Sequence, residues 1–283
     1  MSSRHQLSKI SDSKLCDLKP YLDSIIQKME TPAYIPDDPV LFLHAYDEKQ
    51  DQLLAGFLAA LMAWGRRDIV INKVYNLLER LDHQPHEVIR NYGESQRYRF
   101  EGFKHRTFKP VDIHWLITIL KRILRKYGDF ELFWRLCYQE ARKTDIHLME
   151  IFPQRFFEMA PESASRTRKH VSSAARNSAC KRLWLFLRWT VRRDSVVDQP
   201  LMNFINPSEL MIPLDVHVAR YSRALGLLQR AGNDWKAVIE LTQTLRKLSP
   251  HDPAKYDYAL FGMGIYPNLV PDKFIINKYT LSD

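Results

Sequence analysis

Apolar positions along the 283-residue chain recur mostly at helical spacing. The pattern predicts an amphipathic helix over residues 13–29, in which Pro20 marks either a kink or a second helix start. Residues 51–62 are apolar nearly all round, which predicts a central core helix. Glycine is rare, with nine residues, and we therefore expect an all-α protein. Further helices are predicted at 69–81, 111–126, 130–144, 148–159, the segment after Lys181, 216–228, 234–248 and 253–262.

Three stretches lack a clear helical pattern. Residues 91–110 predict a loop rich in aromatic and basic side chains. Residues 194–213 predict a connector with at most one helical turn. The tail from Tyr266 contains Pro267 and Pro271, and we expect it to be partly disordered.

The positive charge of the chain is concentrated in one strip. The net charge is +9, and the segment from Ser165 to Arg193 contains nine Lys or Arg and no Asp or Glu. The rest of the chain is therefore close to neutral. A concentrated basic face favours a polyanion and predicts strongly salt-dependent binding. A solvated helix face is the alternative interpretation.

The cysteines and the hydropathy exclude several classes of protein. Cys16, Cys137 and Cys180 are odd in number and far apart, which is typical of a reducing compartment. Three cysteines are too few for a four-cysteine iron–sulfur cluster, and no metal-ligand spacing is present. We see no signal peptide and no apolar run near the ~20 residues that span a membrane. We expect a cytoplasmic, monomeric protein without metal or cofactor.

Asp215 opens the predicted helix 216–228 and follows the apolar-Pro-apolar triplet Ile212–Leu214. At this position its side chain is predicted to cap the helix. A capping carboxylate with its outer oxygen in a cleft is also a positioned group. It can hold a nucleophile or stabilise the positive charge that develops on a sugar as a glycosidic bond breaks.

Lys181 precedes Asp215 by 34 positions and opens another predicted helix within the basic strip. One interpretation is a lysine that binds phosphate or faces solvent. The other is an amine nucleophile, whose attack on a sugar C1′ gives a Schiff base and permits strand cleavage by elimination.

The segment Trp64–Asp68 joins two predicted helices at a glycine. As structure, Gly65 would end one helix and Asp68 would cap the next. As function, a loop with Trp64, Arg66 and Arg67 suits insertion into a duplex or clamping of a phosphate. Trp64 and Trp184 are candidate partners for base stacking, with core packing as the alternative for each.

Taken together, these segments resemble the helix-hairpin-helix DNA glycosylase superfamily. Residues 212–218 resemble its aspartate motif, and 51–81 its early helix pair with a wedge loop. The lysine-to-aspartate separation resembles the archaeal 8-oxoguanine glycosylase branch. Residues 178–183 and 251–262 resemble a related uncharacterised bacterial family. The superfamily hairpin has the form apolar-Pro-Gly-apolar-Gly, whereas residues 172–178 contain no glycine, which implies a remodelled hairpin.

The resemblance implies two helical lobes with a cleft between them. Residues 40–200 would form the lobe with the hairpin, and residues 1–39 with 201–283 the other. The implied partner is double-stranded DNA with a damaged base, an oxidised purine, flipped into the cleft. Lys181 would attack C1′ and Asp215 would support it. The implied DNA contacts are Arg176, Ser178 and Arg182 for phosphate, and Arg66 and Arg67 for the opened duplex.

The implied activity is that of a DNA glycosylase in base excision repair, with or without AP-lyase activity. Such a protein would associate with the nucleoid when acting. The alternative is a non-catalytic DNA- or RNA-binding protein on a glycosylase-like scaffold, because a fold does not fix a function.

Overall fold

The fold, given by a computed structural model that describes residues 7–281, is all-α as predicted. Within that range the backbone forms helices, turns and two isolated antiparallel bridges. The α-helices are α1 (Asp12–Met29), α2 (Leu41–His44), α3 (Lys49–Met62), α4 (Arg67–Glu79), α5 (Pro85–Asn91), α6 (Pro110–Tyr127), α7 (Phe130–Thr144), α8 (Leu148–Glu158), α9 (Lys181–Val191), α10 (Val216–Ala224), α11 (Trp235–Leu248) and α12 (Tyr256–Gly262).

Helix α3 is the central element of the core, as the sequence predicts. Every residue from Leu53 to Met62 is buried, and α3 packs against α2, α4, α5, α7 and α9. Phe57 is fully buried and lies edge-on or tilted to a set of aromatic rings. Those rings belong to Phe130, Trp134, Phe152, Phe156 and Phe186. This part of α3 carries apolar side chains on every face because none of its faces contacts solvent.

The N-terminal helix packs on the C-terminal helices. Helix α1 is continuous through Pro20 and packs mainly against α12. The Ile10 N–H donates to the Gly226 carbonyl at 3.1 Å, and Lys247 pairs with Asp12 at 2.7 Å. The division into two lobes stays a prediction, and residues 1–6 and 282–283 of the second lobe lie outside the described residues.

Three local predictions need correction. The segment 91–110 includes a 3₁₀ turn, Glu94–Phe100, and α5 precedes it. Helix α10 ends at Ala224 rather than near residue 228, because Gly226 has φ +70° and turns the chain. The described tail is not disordered, since Val270 and Phe274 are buried. Proline ends regular helices there without preventing packing. The connector 194–213 contains one 3₁₀ turn, as predicted.

Within residues 7–281, no helix combines the length and apolar character needed to cross a membrane.

Candidate functional site

Lys181 and Asp215 lie side by side. Lys181 is the first residue of α9, and its Nζ is 3.5 Å from Asp215 Oδ2. The same Nζ donates to the Ala63 carbonyl at 3.4 Å, where α3 ends. The side chains are 29% and 23% exposed, so the pair is accessible from the surrounding space. Two residues 34 positions apart thus form one partly buried ion pair.

Asp215 caps α10 and faces the lysine with the same carboxylate. Its Oδ1 accepts the Val218 backbone N–H at 2.8 Å, while Oδ2 points to Lys181. The capping bond fixes the orientation of the group. Asp215 is therefore both a helix cap and a positioned carboxylate, because the cap uses one oxygen and leaves the other for Lys181.

The pair lines a cavity of about 990 Å³. Tyr34 and Asp257 contribute to its wall, together with the loop Trp64–Arg67. Ligand sites of this kind typically measure about 300–1,000 Å³. A nucleobase with its sugar is smaller than such a space, so size does not exclude a flipped nucleotide.

The loop between α3 and α4 forms one rim of the cavity. Gly65 has φ +111°, a backbone conformation that L side chains rarely adopt, so this position favours glycine. Trp64 is 50% exposed. The N-cap of α4 is Arg66, not Asp68 as predicted. Asp68 is the second residue of α4, and its carboxylate pairs with the Arg66 guanidinium at 2.7 Å.

Arg66 and Arg67 face different environments. Arg66 is exposed, whereas Arg67 pairs with Asp38 at 3.0 Å and donates to the Tyr34 hydroxyl. The Arg67 guanidinium also lies 4.8 Å from the centre of the Tyr34 ring and 4.2 Å from that of Phe261. Both arginines line the cavity. Arg66 is the more exposed of the two, and its Nε and Nη2 donate to Asp68 at 3.2 and 2.7 Å. A duplex contact stays a prediction for both arginines.

The glycine-free hairpin forms its turn with other residue types. A short 3₁₀ turn, Ala174–Arg176, leads to Asn177 at φ 56°, and Cys180 has φ 49°. Asn tolerates this left-handed region better than most residues. The Ser178 Oγ accepts the Cys180 N–H at 3.2 Å. Ser178 lines the cavity and Arg176 is exposed, so both stay predicted phosphate contacts.

The prediction of a concentrated basic face is wrong. Of the nine Lys and Arg between Ser165 and Arg193, only Lys169, Arg176 and Arg193 are exposed. Arginines at four other positions bind partners from elsewhere in the fold, namely Arg166, Arg182, Arg188 and Arg192. Most of these basic side chains therefore make contacts within the protein and do not form an exposed charged surface.

Arg182 in particular does not offer a free guanidinium to phosphate. Its Nη1 donates to the Leu61 carbonyl at 2.7 Å and its Nη2 to the Lys169 carbonyl at 3.0 Å. Burial lowers the pKa of Arg182 to about 10. These bonds tie the first turn of α9, which begins at Lys181, to the end of α3.

Trp184 is not a base-stacking partner in this cavity. It is 3% exposed and stacks on Trp235, with ring centres 6.4 Å apart and planes 4° apart. Residues four and seven positions after Lys181, Leu185 and Arg188, share its helix face and line the cavity. Trp184, three positions after Lys181, instead lines a separate pocket beside His147. Trp64 stays the candidate.

The sequence reasoning missed Asp257 and its partner Arg188. Asp257 lines the cavity, and its Oδ2 accepts from Arg188 Nη1. Burial raises the pKa of Asp257 to about 6; Arg188 opposes the rise and the Asp215 carboxylate adds to it. Apart from the family resemblance of residues 251–262, the local sequence does not mark Asp257 as a site residue. An Asp inside an apolar helix does not show which residue it pairs with.

The fold and the site define an all-helical protein with a lysine–aspartate pair in a cavity. A family model described as "Protein of unknown function (DUF2400)" matches residues 38–266, and the chain belongs to this family. No curated protein and no solved structure matches the chain. In the described part of the chain, no group of three or more His, Cys, Asp or Glu is arranged to hold a metal ion.

Proposed function

We propose that this protein is a DNA glycosylase with AP-lyase activity that excises a damaged base, an oxidised purine, in base excision repair. The observation that carries the proposal is the 3.5 Å separation of Lys181 Nζ and Asp215 Oδ2 within one cavity. An amine and a carboxylate on two helix starts can act together on one sugar carbon.

In the proposed reaction, the damaged nucleotide leaves the duplex and enters the cavity. The neutral Lys181 amine attacks C1′ and the C1′–base bond breaks. A proton then passes from the nitrogen to O4′ as the C1′–O4′ bond of the sugar opens, and the resulting Schiff base permits strand cleavage by elimination. Asp215 stabilises the positive charge that develops on the sugar. Trp64, exposed at the cavity rim, would fill the gap left in the duplex.

Borohydride trapping tests this proposal. Duplexes with 8-oxoguanine, uracil or an abasic site are incubated with the protein and borohydride, and a covalent adduct is sought. Lys181→Ala should abolish the adduct, because the reduced bond forms at its Nζ. Lys143→Ala is the matched control, since Lys143 is an exposed lysine of α7 that does not line the cavity. Asp215→Asn should slow base release by about 100-fold or more.

A non-catalytic DNA- or RNA-binding protein is the second candidate. It is favoured by the pairing of Lys181 with Asp215 and the Ala63 carbonyl, which also suits a structural role. Salt-dependent duplex binding without base release or an adduct from any lesion would favour this candidate. Absent or salt-insensitive binding to duplex DNA would refute the glycosylase, and the same result with RNA would refute the second candidate as well.

A further inference from the structure

A second carboxylate shares the cavity with Lys181 and Asp215. Asp257 lies in α12 and is nearly buried, with 11% of its side chain exposed. Arg188 holds its Oδ2, and among residues 7–281 no group donates a hydrogen bond to its Oδ1. Asp257 therefore has one anchored oxygen and one oxygen without a backbone or side-chain donor, whereas both oxygens of Asp215 have a partner.

Charged groups from three segments face Asp257. Arg188 and Lys181 belong to α9, Asp215 caps α10, and Asp198 lies in the connector before it. Burial raises the pKa of the carboxyl to about 6 against the opposing effect of Arg188. Near neutral pH, about one tenth of the Asp257 carboxyls are therefore protonated. A group that exchanges protons at working pH suits acid–base catalysis.

Arg188 does not depend on Asp257 for its position. Its Nη2 contacts the Tyr258 hydroxyl at 3.2 Å and Asp198 at 3.6 Å, and its guanidinium lies 4.2 Å from the centre of the Tyr258 ring. Tyr258 in turn donates to Asp198 at 2.8 Å. When Asp257 gains or loses a proton, these contacts keep the arginine in place.

We propose that Asp257 is a catalytic proton donor that protonates the damaged base as it leaves. This inference rests on the proposed function. The Lys181 ammonium, which is partly exposed, first releases one proton to solvent. The freed lone pair of its nitrogen forms the bond to C1′, and the electron pair of the breaking C1′–N bond passes to the base. The Asp257 proton goes to the base, and the carboxylate that remains is paired with Arg188. Two carboxylates thus divide the work, one for the sugar and one for the base.

The test compares two reactions of the protein and its Asp257→Asn variant. Single-turnover base release from an 8-oxoguanine duplex requires the base to leave, whereas borohydride trapping on an abasic-site duplex does not. The variant should release base about 100-fold more slowly or worse and should trap the abasic site within about threefold of the unchanged protein. Asp272→Asn, at an exposed residue, is the control.

The pH dependence gives a second readout. Asp257 donates only when protonated, and its proton is lost above about pH 6. The ratio of base-release rates, unchanged protein over Asp257→Asn, should be greatest below about pH 6 and should fall as the pH rises. If Asp257→Asn does not fold, Asp257→Glu retains the acid and should release base more slowly with the same direction of pH dependence.

Equal base release by Asp257→Asn and the unchanged protein at every pH would overturn the inference and leave the lysine chemistry intact. Parallel loss of release and trapping in a folded variant would also overturn it, because Asp257 would then only support the site. A base-release rate of Asp257→Glu that does not change with pH would also overturn the inference. If the unchanged protein neither releases base nor forms an adduct, the proposed function and this inference both fail.

Discussion

Replacing Arg192 with leucine should strongly destabilise the fold. Arg192 is 2% exposed and binds three carboxylates from separate segments. Its Nη1 is 2.6 Å from Glu30 at the end of α1 and 2.5 Å from Asp198 in the connector. Its Nε is 2.8 Å from Asp252, which caps the 3₁₀ turn before α12. A leucine fills part of the space but satisfies none of these groups.

The expected magnitude follows from burial. Removing one partner of a buried ion pair costs about 3–5 kcal/mol, because the remaining charge is left without compensation. Asp198 is fully buried and would lose its Arg192 contact, but Arg188 and the Tyr258 hydroxyl remain beside it, which places the expected loss in the lower part of that range. Burial alone would lower the pKa of Arg192, yet Asp198, Asp252 and Glu30 together raise it. The carboxylates thus outweigh the desolvation of the charge.

Urea unfolding followed by tryptophan fluorescence measures the change. Arg193→Leu is the matched control, because the neighbouring arginine is exposed, and its free energy of unfolding should change by less than about 0.5 kcal/mol. The total stability of a domain is about 5–15 kcal/mol, so the Arg192 variant should unfold at much lower urea. A loss below about 1 kcal/mol for Arg192→Leu would refute the reasoning, since the carboxylates would then be well solvated without the arginine.

Two further predictions concern stability. Gly65→Ala should destabilise the protein more than Gly102→Ala in urea unfolding, because φ is +111° at Gly65, farther from the left-handed region that other residues can adopt than the +71° at Gly102; equal losses, near the ~1–2 kcal/mol of left-handed backbone strain, would argue against that difference. Burial lowers the pKa of His147 from 6.5 to about 4, so the unfolded chain binds more protons between these values and stability should fall as the pH drops through them. His147→Asn keeps a capping side chain and should weaken this pH dependence, whereas an unchanged dependence would assign it to other groups.

The sequence contains the information for α3 and for the two helix starts at the site. A helix that is apolar on every face, such as residues 53–62, is stable only in the interior of a protein, so its burial was predictable. Asp215 follows a proline-containing turn and carries the local chemistry of a cap. Lys181 likewise opens α9 as predicted. These predictions succeed because their signals lie within a few residues.

The ion pairs were not predictable because their partners are far apart in sequence. Arg188 is 69 positions from Asp257, and Arg192 is 162 positions from Glu30. A basic strip without nearby acids therefore predicts an exposed face, although the fold supplies the acids from other segments. Local charge alone does not show whether an arginine faces water or a buried carboxylate. Asp257 was not predicted as a site residue for the same reason.

The turn before Lys181 has a consequence for the entropy of folding. Without glycine, the unfolded hairpin has fewer backbone conformations, and less entropy is lost when it becomes ordered. The opposing effect is strain at Cys180, a residue that rarely adopts φ 49°. Its Sγ lies 3.5 Å from the Ser172 carbonyl and 3.4 Å from the Ser178 carbonyl, contacts that help to hold it there. Ordering the segment before Lys181 therefore costs less backbone entropy than ordering a glycine-containing segment would, and the strain at Cys180 offsets part of that gain.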